Sequence, residues 1–145
     1  MTLEKEIIID AEPQRIFDAL TDERQIPKFF PYEKARVDLE VGGQYVCSGS
    51  IDGTPFKDIG YIVSFDEPNE FSYRYWSDNH GTERSEANHL SISYTLTPLG
   101  DGTQLRLQQG DIQTDEYFSM MDIAWDTLLL GFKHYVEDHG HAGVT

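Results

Sequence analysis

The chain has 145 residues, 39% of them hydrophobic and 12% aromatic, enough for one folded domain over residues 1–145 with a packed core. Twenty-six acidic residues against eleven basic ones give a formal charge of −15 at pH 7. That balance argues against nucleic acid and anionic membranes as partners, because phosphate binding needs clustered Lys and Arg.

Residues 3–10 read as a strand centred on Ile7-Ile8-Ile9. Asp10 and Pro13 then signal a helix start, and Ile16, Phe17 and Leu20 keep helical spacing over 13–21. A second short helical piece is expected over 22–30, interrupted at Pro27 and stopped by Pro31. The period then switches to two. Ala35, Val37, Leu39 and Val41 alternate with polar residues up to a turn at Gly42-Gly43, and Tyr45 and Cys47 share one face of the next strand. Asp52-Gly53 is a hairpin signal, since both central positions of a type I′ turn need positive φ. Another strand is expected over 56–66, and a turn at Pro68-Asn69 leads to a strand with Phe71, Tyr73 and Tyr75 on one face. A polar stretch, 77–88, reads either as a hairpin loop or as a lid. Leu90, Ile92, Tyr94 and Leu96 alternate beyond it, and Gly100-Asp101-Gly102 turns into a last strand carrying Leu105 and Leu107.

The period changes once more after Thr114-Asp115-Glu116, which supply capping and dipole-complementing groups. A helix of more than twenty residues follows, with Gly140 as its stop. Its broad face carries Tyr117, Phe118, Met121, Ala124, Trp125, Leu128, Phe132, Tyr135 and Val136, with Ser119, Asp126, Lys133 and Glu137 opposite. About seven strands and one long helix make an α+β fold with the helix laid on one face of a sheet. A sheet that wide curls, and a single helix cannot fill it. Either the inward rings close the core or a cavity remains.

Several runs carry a family resemblance. They are Ile9-Asp10-Ala11-Glu12-Pro13 leading to Ile16-Phe17-Asp18-Ala19-Leu20-Thr21-Asp22, Val37-Asp38-Leu39-Glu40-Val41-Gly42-Gly43, Gly60-Tyr61-Ile62 before Asp66-Glu67-Pro68, Tyr73-Arg74-Tyr75-Trp76, and Ala124-Trp125 followed by Leu128-Leu129. In order and spacing they resemble the START/SRPBCC superfamily, and within it the proteins like the activator of heat-shock protein 90 ATPase. The chain departs from that pattern at Ala124, where glycine is common, and at Phe29-Phe30, where a tryptophan often stands. The resemblance implies a helix-grip fold: a curved antiparallel sheet of six to seven strands around the long C-terminal helix, with two short helices after the first strand. It also implies a hydrophobic cavity between helix and sheet, and no cofactor. Family patterns turn Gly60 and Ile62 inward, whereas plain alternation turns Ile59, Tyr61, Val63 and Phe65 inward; a bulge would reconcile the two.

The inward aromatic faces and the resemblance together point to binding or carriage of a small hydrophobic ligand, aromatic or lipid-like, without catalysis. The expected lining is Phe29, Tyr45, Cys47, Tyr73, Tyr75, Met121, Trp125 and Leu128. Two alternatives stand beside it: an interaction domain acting on a heat-shock protein 90 homologue, and a polyketide cyclase-like enzyme using Asp58, Glu83, Asp111 or a tyrosine. Catalytic cysteine or serine chemistry finds no support, since Cys47 falls on an apolar face and no G-x-S-x-G elbow exists. His80, His89, His134, His139 and His141 show no structural zinc spacing, so no metal is expected. One cysteine excludes an intramolecular disulfide. Ile123 and Leu130, seven apart on the outer helix face, suggest a homodimer seam. No apolar run reaches the ~20 residues of a membrane span, and the first residues lack a secretory pattern, so the cytoplasm is the expected location.

Overall fold

The fold is that of a computed structural model describing residues 1–139. Strand β1 (Leu3–Ile9) is followed by helix α1 (Pro13–Thr21) and a 3-10 turn at Ile26–Lys28. Six strands come next: β2 (Lys34–Val37), β3 (Gln44–Ile51), β4 (Thr54–Asp66), β5 (Glu70–Ser77), β6 (Leu90–Leu99) and β7 (Gly102–Gly110). Helix α2 (Asp115–His139) ends the described chain. The strands form one antiparallel sheet in the order β1-β7-β6-β5-β4-β3-β2. Chain order is thus kept from β2 to β7, and β1 closes onto β7. α2 lies in the hollow of the curved sheet, as the helix-grip expectation requires.

Turn chemistry fixes the hairpins. Asp52 and Gly53 both have positive φ, as a type I′ turn demands. Thr114 caps α2 by accepting the Tyr117 N–H at 3.1 Å, and Asp115 and Glu116 sit in the first turn. The core follows the sheet's inward rows. Ile9 and Leu3 come from β1, Phe71 from β5, Ile92, Tyr94 and Leu96 from β6, and Leu105 and Leu107 from β7. α2 meets them with Trp125, Leu129, Phe132 and Val136, and α1 with Ile16, Phe17 and Leu20.

Four expectations need correction. Residues 22–30 hold only the 3-10 turn, not a helix, because Pro27 has no N–H to continue one. The alternation through Leu39 and Val41 is not strand: β2 ends at Val37, the chain turns through Asp38 and Glu40, and both apolar residues are exposed. The helix face called opposite to the core is not simply solvated. Lys5 on β1 pairs with Asp122 and Asp126, Lys133 Nζ donates to the Ile8 carbonyl, and Glu137 accepts the Asp10 N–H. Leu129, absent from the expected face, is buried. Gly140 and His141 lie outside the described residues.

The register of β4 is settled by a bulge between Ile62 and Ser64. Before it, Asp58, Gly60 and Ile62 face inward; after it, Phe65 is brought opposite Phe71. At Gly60 a Cβ would lie 2.2 Å from the Arg74 carbonyl oxygen and 2.9 Å from Tyr75 Cβ, so only glycine fits. Its missing side chain leaves the space between Tyr45 and Tyr75, its partners on either side.

Candidate functional site

The groove between sheet and helix is not filled along its whole length. Beyond Trp125, toward the N-terminal half of α2, an inner cleft of about 90 Å³ opens into an outer funnel of about 720 Å³. Tyr32, Asp58, Tyr75 and Met121 belong to both. Tyr45 and Tyr73, neighbours through β3 and β5, stack with centroids 3.8 Å apart and floor the inner cleft. Tyr75 continues the row, Trp125 and Leu128 close the helix side, and Met121 stands over the opening.

Of the residues expected at the site, Tyr45, Tyr73, Tyr75, Met121, Trp125 and Leu128 all line this cleft. Phe29 does not. After the 3-10 turn its ring packs against Phe132 and Tyr135, and the adjacent Phe30 supplies the ring that meets Trp125 and the cleft. Cys47 points inward but lies fully buried, opposite Asp58 in the sheet and outside the lining. Burial pushes its thiol up to about 12, so it has no reactive thiolate near neutral pH.

The polar groups of the cleft form two clusters. The first centres on Asp58, whose Oδ2 accepts from Tyr32 Oη at 2.6 Å. Burial raises the Asp58 carboxyl, and the hydrogen bonds from Ser77 and Tyr32 only partly offset this. In the second, Trp125 Nε1 donates to Gln109 Oε1 at 2.8 Å, and Gln109 Nε2 donates to Tyr75 Oη at 3.3 Å. Gln109 is fully buried, and these bonds occupy both ends of its amide. At the funnel wall Tyr117 Oη and His80 Nε2 lie 3.2 Å apart. Burial lowers the His80 imidazole, the nearby Asp58 opposing. Behind that pair lies a smaller hollow of about 130 Å³ reaching Leu90 and Gln113.

Tyr32, Phe30 and Gln109 were not anticipated. Gln109 had a legible signal, since it continues the inward row of Leu105 and Leu107 by alternation. Tyr32 and Phe30 had none, because a coil segment places them. Of the acidic candidates, Asp58 alone reaches the cleft. Asp111 pairs with Arg74 at 2.7 Å, and Glu83 is exposed in the loop. The 77–88 stretch is strapped down: Glu86 accepts from Tyr61 and Arg74, and Trp76 Nε1 donates to Thr82. It carries His80 to the funnel as part of an anchored loop.

The fold is shared with known proteins. The family model described as activator of Hsp90 ATPase homolog 1-like protein matches residues 10–137. The chain belongs to that family. Among solved structures it is similar to protein CV1439 from Chromobacterium violaceum, with a TM-score of 0.81 and 22% identity over 94% of this chain and 96% of that one. It is also similar to the Aha1 dimer from Colwellia psychrerythraea, with a TM-score of 0.76 and 16% identity over 94% and 96%. DynU16, from the dynemicin biosynthetic locus, superposes with a TM-score of 0.76 at 13% identity, over 94% of this chain and 47% of that one. At these identities the structures share the helix-grip fold. No curated protein matches the sequence. Membership in this family supports a ligand-binding domain, and no helix among the described residues is long and apolar enough to cross a membrane.

Proposed function

We propose that the chain binds a small hydrophobic ligand, aromatic or lipid-like, in the cleft between sheet and α2, and performs no chemistry on it. The observation that carries this reading is the cleft itself: ring-lined, with few polar groups, and open at one end. An apolar cavity of about 150 Å³ holds benzene, and the inner cleft alone, at about 90 Å³, is smaller than that. A ligand therefore extends into the funnel or displaces Met121, whose flexible thioether suits it to a yielding wall. Tyr45, Tyr73, Tyr75, Trp125 and Leu128 supply the apolar walls in this reading, with Phe30 in the place first given to Phe29. Calorimetric titration with a panel of apolar aromatics and fatty acids tests it. Saturable binding that is weakened by Met121→Trp is expected; no heat from any member of the panel would remove the support.

Asp58 favours a second reading, cyclase-like acid–base chemistry, because a buried carboxyl raised by its surroundings beside an open cleft is what a general acid or base needs. Covalent change of a bound polyketone, lost in Asp58→Asn, would establish it. An interaction with a heat-shock protein 90 homologue rests on the family alone, and a pull-down insensitive to cleft substitutions would favour it. For assembly we propose a homodimer through the outer stripe of α2, where Ile123 is 73% and Leu130 49% exposed and Met120 extends the row. The dimeric Aha1 structure of the same fold lends this support.

A further inference from the structure

The polar end of the cleft combines three features. Rings from Phe30, Tyr32, Tyr45, Tyr73, Tyr75 and Trp125 surround the space. Asp58, only 7% exposed, is the carboxylate that reaches it from the sheet. Among the described residues no Lys or Arg lines either the inner cleft or the funnel, where a second carboxylate, Glu116, stands at the rim. Among the described residues His80 is the imidazole that lines the funnel, and burial holds it toward its neutral form. Among the described residues Asp58 has hydrogen-bond donors in Tyr32 and Ser77 but no ion pair.

A buried carboxylate without a countercharge is costly, and the usual remedy is a paired cation. No described residue supplies one, although cations pair with carboxylates elsewhere: Lys5 with Asp122 and Asp126, Arg74 with Glu86 and Asp111, Lys133 with Glu137. A carboxylate has about four lone-pair sites, so two hydroxyl donors leave room for a further donor from the cleft. Aromatic faces attract the same kind of guest, since a cation within about 6 Å of a ring centroid is stabilised by the ring's quadrupole. The field of a chain with a formal charge of −15 concentrates cations at such a mouth and repels carboxylates and phosphates.

We infer that the cleft selects an organic cation: a protonated amine on an aromatic or apolar body, its ammonium placed against Asp58 and its body on the tyrosine row and Trp125. This rests on the ligand-binding reading and names the class of ligand. Glu116 at the rim and the ring faces guide the guest, and Asp58 carries the discrimination.

A matched series tests it: 2-phenylethylammonium, 2-phenylethanol and phenylacetate, titrated calorimetrically at pH 7 into the full chain and into Asp58→Asn. The amine is expected to bind at least about tenfold more tightly than the alcohol, with the acid weakest, and Asp58→Asn is expected to bring amine and alcohol within about twofold, as the loss of one charge-assisted contact implies. Equal affinity for amine and alcohol in the unsubstituted protein overturns the inference while leaving hydrophobic binding intact. An amine preference that survives in a folded Asp58→Asn also overturns it, because the selection then lies elsewhere. If none of the three binds while a lipid or uncharged aromatic does, cation selection fails alone; if nothing binds, the cleft reading fails with it. The comparison within the unsubstituted protein does not depend on how the variant folds.

Discussion

The two ends of the groove under α2 are built from different side chains for different ends. Where α1 lies over the sheet, Ile16, Phe17 and Leu20 meet Phe71, Leu96 and Leu105, and the C-terminal half of α2 adds Leu129, Phe132 and Val136, all buried. At the other end the N-terminal half of α2 buries no residue before Trp125, and the cover is the coil around Phe30 and Tyr32 with Met121 above. Aliphatic and phenyl groups seal the first end. Tyrosines, an indole and a carboxylate line the second, so that its walls are apolar and their tips polar. Trp125 stands at the junction, bonded through Gln109 to Tyr75. One fold therefore seals the groove at one end and leaves it open at the other.

The contrast has consequences that unfolding experiments can read. Phe17→Ala opens a hole in the sealed end and is expected to cost about 3–5 kcal/mol in urea unfolding. A loss below about 1 kcal/mol would mean that α1 is not the seal, since even half-buried truncations reach that size. Trp125→Phe removes the indole donor and leaves Gln109 Oε1 buried without its partner, an expected cost of about 1–3 kcal/mol. Because Trp125 faces both ends, this substitution should also weaken ligand binding, which Phe17→Ala spares if the protein stays folded.

At the open end the sign reverses. Burial raises the Asp58 carboxyl above its ordinary value near 3.8, so the folded chain holds that proton more tightly than the unfolded chain. The stability this contributes is fully present below pH 3.8 and is lost as pH rises through the raised value. Ionisation above that raised value costs stability, so Asp58→Asn is expected to melt at a higher temperature than its parent at pH 7. The gap should close in melts taken below pH 3.8, where both side chains are neutral. An Asp58→Asn that melts lower at pH 7 would show that Tyr32 and Ser77 more than offset the burial. The smallest effect is expected on the outer stripe: Leu130→Asp should change monomer stability by no more than about 0.5 kcal/mol, yet abolish a dimer in sedimentation. Parent and variant both sedimenting as monomers would end the proposed seam.

Much of this contrast is legible in the sequence, and its limits have physical causes. Strand order, the type I′ turn at Asp52-Gly53 and the amphipathic α2 follow from periodicity and turn chemistry, which act locally. The inward rows of Phe71, Tyr73, Tyr75 and of Leu105, Leu107 follow from alternation alone. Alternation failed at Leu39 and Val41, where apolar residues two apart sit in a turn, and it could not place the β4 bulge, which depends on pairing with β5. The choice between Phe29 and Phe30 was illegible because the segment is coil, and its orientation is set by contact with Phe132 and Tyr135, more than a hundred residues away. Whether the rings closed the cleft was equally beyond the sequence, since that depends on the space α2 leaves. Gln109, by contrast, was readable as a polar residue on an inward row.

The most direct test uses the two tryptophans as paired reporters. Trp125 lines the cleft, and Trp76 bonds to Thr82 on the other side of the sheet. In two-dimensional nitrogen–proton spectra, titration with an apolar aromatic or lipid-like ligand is expected to move the Trp125 indole resonance along a saturating curve while that of Trp76 stays in place. If every ligand left Trp125 unmoved, or moved both indoles alike, the open end would be an unfilled gap in the packing and not a binding site.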